Sequence, residues 1–499
     1  MGDFYETFDA DAELAARVLG IALTSRPMGK GEGRIPLAGV PHHQLERYLD
    51  ILVNAGHRVA IAEQTSLPPS KGGTQGLVER RVTRVVTPGT VDSGALITSG
   101  SNNWLSSVVR DPVAGPNNWG IATVDVTTGE IRLKELNQGE ILGELSRLNP
   151  REILCEQIDT LRSLNTSELP PSLRTIRPPE EFQVEYARII WSQTSGHPPI
   201  DSFGLEDHPQ ALRALGAILG YIQEVWPDAL AVLRPPKLEA NNDFIFIDPQ
   251  TRRSLDLINT RERSEESLLS VIDQTRTPMG KRLLEDRISR PSRDLREIAD
   301  RLDEATLLLK DHHVRDTVRV KLSKLSDIDR LVARISSGSR NGKLLAQLRD
   351  TLRELPAIAD LISPNNTHLA HLLRAGEELL ILTNQLETVL AEDPPVEPGD
   401  QPTIQEEFSN SLDHQRAILT ECFSKLTELE VKERESTGLS IKVGYNRVFG
   451  YFLECPRSQA AHVPKTYEAK QTLANSQPVS YTHLRAHETR EDRVWRRGG

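Results

Sequence analysis

The sequence predicts a multidomain protein, mixed α/β in its first half and all-α behind, with a small β unit set among the later helices. Three observations predict it. At 499 residues the chain has length for about three domains. Helix and strand signals alternate up to about residue 236, and from about residue 250 the apolar residues recur at helical spacing. At residues 439–446 the period drops to two, the mark of a half-buried strand.

The first block spans residues 1–90. Asp11 to Val18 is Ala-rich and helical in pattern, and Leu45, Leu49, Leu52 and Val53 repeat at a helix period. Residues Val59–Ala62 and Val82–Val86 read as short strands, and Pro88-Gly89 closes the unit with a turn. The second block spans residues 101–236. After a loop at Asp111–Asn118, Gly120–Val126 and Ile131–Leu136 flank Thr128-Gly129 as a hairpin. A helix over Gly139–Leu148 and a strand at Glu152–Cys155 follow, and Pro170, Pro171, Pro178 and Pro179 mark a loop.

The third block, residues 240–410, is helical and laced with charge. Leu295, Ile298, Leu302, Ala305 and Leu309 keep helical spacing, as do Leu345, Leu348, Leu352 and Leu355. Leu369–Val389 is another long-helix candidate, and Ala391–Pro402 is an acidic, Pro-rich linker. In the fourth block, residues 411–475, an amphipathic helix over Ser411–Lys432 leads into a strand whose Leu439, Ile441, Val443 and Tyr445 alternate with polar or small residues. Phe449–Cys455 continues as a second strand. Residues 476–499 carry five arginines without apolar periodicity and are set apart as an unrelated tail.

Composition narrows the function classes. No run of about 18 apolar residues is present, and Asp3, Glu6, Asp9 and Asp11 stand where a signal peptide would be basic, so a cytoplasmic protein is expected. Cys155, Cys422 and Cys455 are far apart and form no CxxC pair, which suits three reduced structural thiols. A formal net charge of −11 argues against coating nucleic acid over the whole surface. It leaves room for local basic strips at phosphates.

Enzyme signatures are not evident. The phosphate-cradling G-x-x-x-x-G-K-[ST] pattern is absent: around Gly342-Lys343, Leu344 cannot ligate a metal and Ser337 replaces the first Gly. Gly29-Lys30-Gly31 fails the same test. His42-His43 is an adjacent pair without neighbouring Cys or His ligands, so surface or packing roles are favoured over metal. There is no G-x-S-x-G elbow, and Asp125 and Asp248 read as turn, cap or salt-bridge residues rather than a catalytic cluster. The remaining signal is recognition. In an extended segment Phe4 and Glu6, two apart, emerge on one face. A Phe there can wedge into a base step, which is cheaper where pairing is already poor. A carboxylate beside DNA makes sense at a base edge, where it accepts a hydrogen bond, or donates one when protonated. On spacing alone, Phe4 in a strand core with Glu6 on the surface is the commoner arrangement.

The surrounding residues change that balance. Met1–Phe8 resembles the G-D-F-Y-E-x-F segment of the MutS family, which carries its Phe-x-Glu motif. Ile35-Pro-Leu-Ala-Gly-Val-Pro-His-His43, Val59-Ala-Ile-Ala-Glu-Gln64 and Val78-Glu-Arg-Arg-Val-Thr-Arg-Val-Val-Thr-Pro-Gly-Thr90 are similar in order. So are Asp248-Pro-Gln-Thr-Arg-Arg-Ser-Leu255, Asp273-Gln-Thr-Arg-Thr-Pro-Met-Gly-Lys-Arg-Leu-Leu284, Asp327-Ile-Asp-Arg-Leu331, Glu433-Arg-Glu-Ser-Thr-Gly438 and Lys442-Val-Gly-Tyr-Asn-Arg-Val-Phe-Gly-Tyr451. The resemblance covers about Met1 to Asn475.

The resemblance implies four parts: a mixed α/β mismatch-binding domain (1–90), a connector of ribonuclease-H-like α/β fold (101–236), a long-helix lever (240–410) and a small β clamp inserted in it (411–475). It gives Phe4 the stacking role at a mispaired or unpaired base in kinked duplex DNA and Glu6 the base hydrogen bond. Lys442, Asn446 and Arg447, with Lys465 and Lys470, are then clamp candidates for the DNA backbone, against a reading as solvated surface charge. ATP and Mg are implied only for an ATPase domain of full-length relatives, which this sequence does not show, so no cofactor is expected in this chain. A homodimer and a downstream MutL-type repair protein are implied for the full-length family, and a nucleoid-associated bacterial location with it. Two other readings are a metal-dependent nuclease through the connector fold and a helical protein-interaction scaffold.

Overall fold

The computed structural model describes residues 4–27, 33–64, 79–91, 100–111, 113, 119–157, 160–161, 172–194, 197–240, 243–258, 267–339, 341–362, 376–396, 401–446, 450–456, 459, 468–469 and 476–480. They form a mixed α/β multidomain protein. The chain divides into two compact units, one of residues 1–387 with 393–401, the other of 388–392 with 402–499.

The first unit opens with β1 (Phe4–Phe8), α1 (Asp9–Leu19), β2 (Thr24–Pro27) and β3 (Arg34–Pro41). The three strands form an antiparallel sheet in the order β1-β3-β2. Gly20, at φ 66°, ends α1 in the left-handed region that an L side chain resists. Ala12 and Ala15 of α1 and Ala38 of β3 are buried. Small residues at those positions bring helix and sheet close, which covers one sheet face and leaves the other open. Helix α2 (Leu45–Asn54) buries Leu49 and Val53 against Val86, Val91 and the hairpin β4 (Val59–Gln64) and β5 (Arg80–Val86).

The next sheet is built from β6 (Trp104–Arg110), β7 (Trp119–Asp125), β8 (Glu130–Leu136), β9 (Glu152–Cys155), β10 (Leu173–Ile176) and β11 (Lys237–Leu238), in the order β10-β9-β6-β7-β8-β11. Strands β6, β7 and β8 are an antiparallel meander, while β9, β10 and β11 pair in parallel. Both faces are buried, as parallel pairing generally requires. Trp104, Val108, Trp119, Ile121 and Ile153 pack with Ile141 and Leu145 of α3 (Gln138–Leu148). Leu105, Val124, Ile131 and Leu133 face the other way, toward α4 (Val184–Gln193) and α5 (Pro209–Val225). Helix α5 is buried around nearly its whole circumference. Its approach to the sheet is set by Gly120, where an added Cβ would lie 2.0 Å from the Gln210 carbonyl oxygen.

Helices α6 (Pro249–Ser254), α7 (Leu268–Ile272), α8 (Pro278–Ser289), α9 (Leu295–Lys310), α10 (His312–Leu322), α11 (Ile328–Ser336), α12 (Gly342–Ile362) and α13 (Glu377–Val389) follow. Asp248, Ser267, Thr277, Asp294, Asp311 and Asp327 each cap the helix that follows by accepting backbone N–H bonds. Leu331 of α11 packs with Leu344, Leu348 and Leu352 of α12. A seam of charge ties the six-stranded sheet to these helices. Arg132 bonds Asp286 at 2.6 Å, Arg290 reaches the same carboxylate at 2.7 Å and also holds Glu239, and Arg147 pairs with Glu144. Burial alone would raise the Glu144 carboxyl, but Arg147, Lys134 and Arg290 outweigh it and hold it at about 2, below its ordinary 4.5.

In the second unit, Ser409 caps α14 (Asn410–Thr437), which ends on Gly438 at φ 67°. Strands β12 (Lys442–Asn446), β13 (Gly450–Pro456), β14 (Glu468–Ala469) and β15 (Ser476–Ser480) form a sheet in the order β12-β13-β15-β14. Leu426 of α14 packs with Leu439, Ile441, Leu453 and Cys455.

Several elements differ from the sequence reading. The sequence reading names no element over the 17-residue α5, whose polar side is reduced to a few residues such as Gln210, Arg213 and Glu224. Pro179–Phe182 is a 3-10 turn within the expected loop. The helix expected over Leu369–Val389 is described as Glu377–Val389, and residues 369–375 lie outside the described residues. The strand expected from Leu439 begins at Lys442. Ser476–Ser480, set apart with the tail 476–499, pairs antiparallel with β13 as β15.

Two measurements follow from these contacts. Gly120→Ala forces α5 off the sheet and is expected to destabilise the chain by about 1–3 kcal/mol, read by denaturant melting. An unchanged midpoint would contradict the close approach. For Glu144 the folded pKa lies below the unfolded one. Its stabilisation is therefore present above about pH 4.5 and lost as pH falls toward about 2. Glu144→Gln should flatten that acid limb in denaturation midpoints taken from about pH 5 to about pH 2.5. An acid limb of unchanged steepness counts against the assignment.

Candidate nucleic-acid interface

The β1-β3-β2 sheet presents one bare face, and strand register decides what stands on it. In antiparallel strands, residues directly opposite one another project to the same side. Phe4 faces Pro41 and Glu6 faces Gly39 across β1 and β3, while Thr24 faces Leu37 and Arg26 faces Ile35 across β2 and β3. Residues 35, 37, 39 and 41 alternate along β3 onto one side. Phe4, Glu6, Thr24 and Arg26 therefore share a face. Phe4 is 61% exposed with Glu6 exposed next to it, and Thr24 and Arg26 are exposed further along the same face, on the strand beyond β3.

Gly39 keeps this face low. A Cβ there would stand 3.6 Å from Phe4 Cδ1 and 3.9 Å from Glu6 Cγ, so a longer side chain would fill the space between them. An exposed aromatic ring beside a carboxylate has the chemistry to stack on a base and hydrogen-bond its edge, and a guanidinium further along the same face can neutralise a phosphate. The Arg26 side chain makes no hydrogen bond or ion pair with another described residue. Strand β2 was not legible in the sequence, because Thr-Ser-Arg-Pro lacks apolar alternation. The register with β3 is the only signal that places Arg26.

The opposite face of β1 is anchored. The Tyr5 hydroxyl donates to Glu63 of β4, and its ring stacks on His42 with centroids 5.6 Å apart. Burial and the Glu63 carboxylate push the Tyr5 phenol up. Thr7 Oγ1 donates to the Ala38 carbonyl at 3.2 Å. Phe4 and Glu6 thus project from a strand whose back is tied down at the residue between them. Arg80, Arg81 and Val82 of β5 are also exposed.

The other sequence candidates are placed less completely. Lys442 is exposed on β12 in the second unit, and Asn446 ends that strand, its side chain not described. Arg447, Lys465 and Lys470 lie outside the described residues. His42 packs on Tyr5, and Asp248 caps α6. Asp125 is fully buried and accepts from Asn103 N at 3.0 Å and from Thr127 Oγ1 at 2.6 Å. Burial pushes its carboxyl up against these bonds and the nearby Arg330. Among the described residues no group of three or more His, Cys, Asp or Glu is arranged to hold a metal. No described helix is long and apolar enough to cross a membrane.

Comparison with known proteins covers the chain in three stretches. Residues 1–95 match the model of MutS domain I, residues 103–231 that of MutS domain II, and residues 250–497 that of MutS domain III. The DNA mismatch repair protein MutS of Thermosynechococcus vestitus is 37% identical over 98% of this chain, which covers 57% of that relative. The protein of that name from Microcystis aeruginosa is 36% identical over 98% of the chain and 57% of its own length. That of Methanothrix thermoacetophila is 35% identical over 98% and 55%. The chain thus spans somewhat more than half the length of these curated relatives.

Proposed function

Because this chain belongs to the MutS family, we propose that it recognises mispaired or unpaired bases in duplex DNA for mismatch repair. The observation that carries the reading is the bare sheet face, where an exposed Phe4 stands beside Glu6 on a strand held from behind. In this reading Phe4 enters a base step and kinks the duplex toward the major groove. Entry requires unstacking, worth a few kcal/mol on paired DNA and less at a mispair, so the wedge reads weak pairing rather than sequence. Glu6 takes the base-edge hydrogen bond. Arg26, on the same face, offsets the repulsion between Glu6 and the phosphates.

The clamp candidates Lys442, Asn446, Arg447, Lys465 and Lys470 belong to the same proposal as backbone contacts. So does the boundary scheme of mismatch-binding domain, connector, lever and clamp. The order β8-β7-β6-β9-β10, an antiparallel meander extended by two parallel strands, supports a ribonuclease-H-like connector. ATP with Mg, homodimerisation and a MutL-type partner are proposed at the level of the family, and no described residue is assigned to them.

Two binding experiments test the reading. Phe4→Ala is expected to lower affinity for a mismatched duplex about tenfold or more, equivalent to about 1.4 kcal/mol, and to leave matched-duplex binding within about twofold. Equal binding of Phe4→Ala and wild type to the mismatch, where wild type discriminates, would sink the wedge role. Arg26→Gln is expected to reduce the slope of log affinity against log salt by about 0.9, the contribution of one phosphate. An unchanged slope removes Arg26 from the interface.

A further inference from the structure

Glu152, at the start of β9, has a fully buried side chain that accepts hydrogen bonds from three separate stretches of chain. Its Oε2 accepts from Thr87 Oγ1 at 2.7 Å and from Gly89 N at 3.1 Å. Its Oε1 accepts from Thr175 Oγ1 at 2.6 Å and from the Tyr221 hydroxyl at 2.7 Å. Arg58 donates to Thr175 Oγ1 at 2.6 Å and stands 3.9 Å from the carboxylate. Burial and the Glu152 charge raise the Tyr221 phenol, which stays a donor.

The Thr87–Thr90 turn fits this acceptor closely. Thr87 N donates to Thr90 Oγ1 at 3.1 Å, and Asn103 Nδ2 holds the Pro88 carbonyl at 3.2 Å. At Gly89 an added Cβ would lie 2.9 Å from Leu105 Cδ1 and 3.0 Å from Glu152 Oε2, so only glycine brings its N–H to the carboxylate. A chain of contacts then leads outward. Thr87 follows directly on β5, β5 pairs with β4, and Glu63 of β4 receives the Tyr5 hydroxyl between Phe4 and Glu6.

We propose that Glu152 is a positioning residue for base reading. Its carboxylate fixes the Thr87–Thr90 turn on the connector sheet and thereby the orientation of the face that carries Phe4 and Glu6. The proposal rests on the reading of those two residues as the base-reading pair. The connector core does not depend on the front half of the latch, because Thr175 and Tyr221 hold Oε1 from within the connector itself. Losing Thr87 or Gly89 as donor frees the turn, not the sheet. Glu152→Gln preserves the shape and all four bonds, since the amide oxygen accepts from Thr87 and Gly89 while its N–H donates to the two hydroxyl oxygens.

The test uses the full chain, labelled for energy transfer through Glu13→Cys on α1 and Ile189→Cys on α4, both exposed positions. In Thr87→Val and Glu152→Ala the transfer-efficiency distribution is expected to broaden. The mismatch-to-matched affinity ratio is expected to fall about fivefold to tenfold, with matched-duplex binding within about twofold. Thr87→Ser and Glu152→Gln restore both readouts. A distribution as narrow as wild type in Thr87→Val overturns the proposal, and so does a broadened one with an unchanged ratio. If wild type and Phe4→Ala bind mismatched DNA alike, the base-reading assignment fails by itself. The distribution width then still decides whether Glu152 orients the domain.

Discussion

The packing of α5 against Gly120 is the constraint on which the first unit depends. With Gln210 backbone where a side chain would otherwise stand, helix and sheet meet at a distance only glycine permits. That contact makes one face of the connector sheet dry, and α3 makes the other dry. A sheet buried on both sides has no water for polar groups at its strand ends. Each such group needs a partner supplied by the protein. Asp125 at the end of β7 takes the Asn103 N–H and the Thr127 hydroxyl, and Glu152 at the start of β9 takes four donors. The neighbouring segments are attached where those partners come from.

The same logic governs the charge seam toward the helical part. Arg132, Arg147 and Arg290 converge on Asp286, Glu144 and Glu239 in surroundings with little water. A buried ion pair adds little net stability when complete, but removing one partner leaves a charge that nothing else satisfies. The seam therefore specifies geometry more than it adds stability. It holds the connector and the capped helices in one arrangement, and α9 is left with Leu295, Leu302 and Leu309 exposed at a spacing of seven.

The open face of the β1-β3-β2 sheet follows the opposite design. Phe4 is left largely exposed, and the Arg26 side chain has no partner among the described residues. The strain of leaving an aromatic ring in water is met by fixing the strand from behind, through Tyr5 to Glu63 and Thr7 to Ala38. In the proposed role, a ring held this way would lose little freedom on meeting a base. Rigidity on one face and exposure on the other are both encoded in five residues whose alternation sets Phe4 and Glu6 apart from Tyr5 and Thr7.

Much of this was legible in the sequence. The helix over Leu295–Lys310, the hairpin around Thr128-Gly129, the strand Glu152–Cys155 and the long helix before Gly438 all carry local signals of period, turn or cap, and local signals survive without tertiary context. The Phe4–Glu6 pair was legible too, through spacing and the motifs around it. Helix α5 was not, because burial of most of its circumference leaves only a few polar residues to mark its period. Nor was the placing of Arg26 on the same face as Phe4, which needs the register of two strand pairs, or Glu152 as a shared acceptor, which joins residues from 87 to 221. By itself the sequence determined which short segments form which elements and which family they resemble. Only the tertiary structure decided which side chains share a face and which buried charge meets which donor, because those choices are made by long-range packing that no local pattern contains.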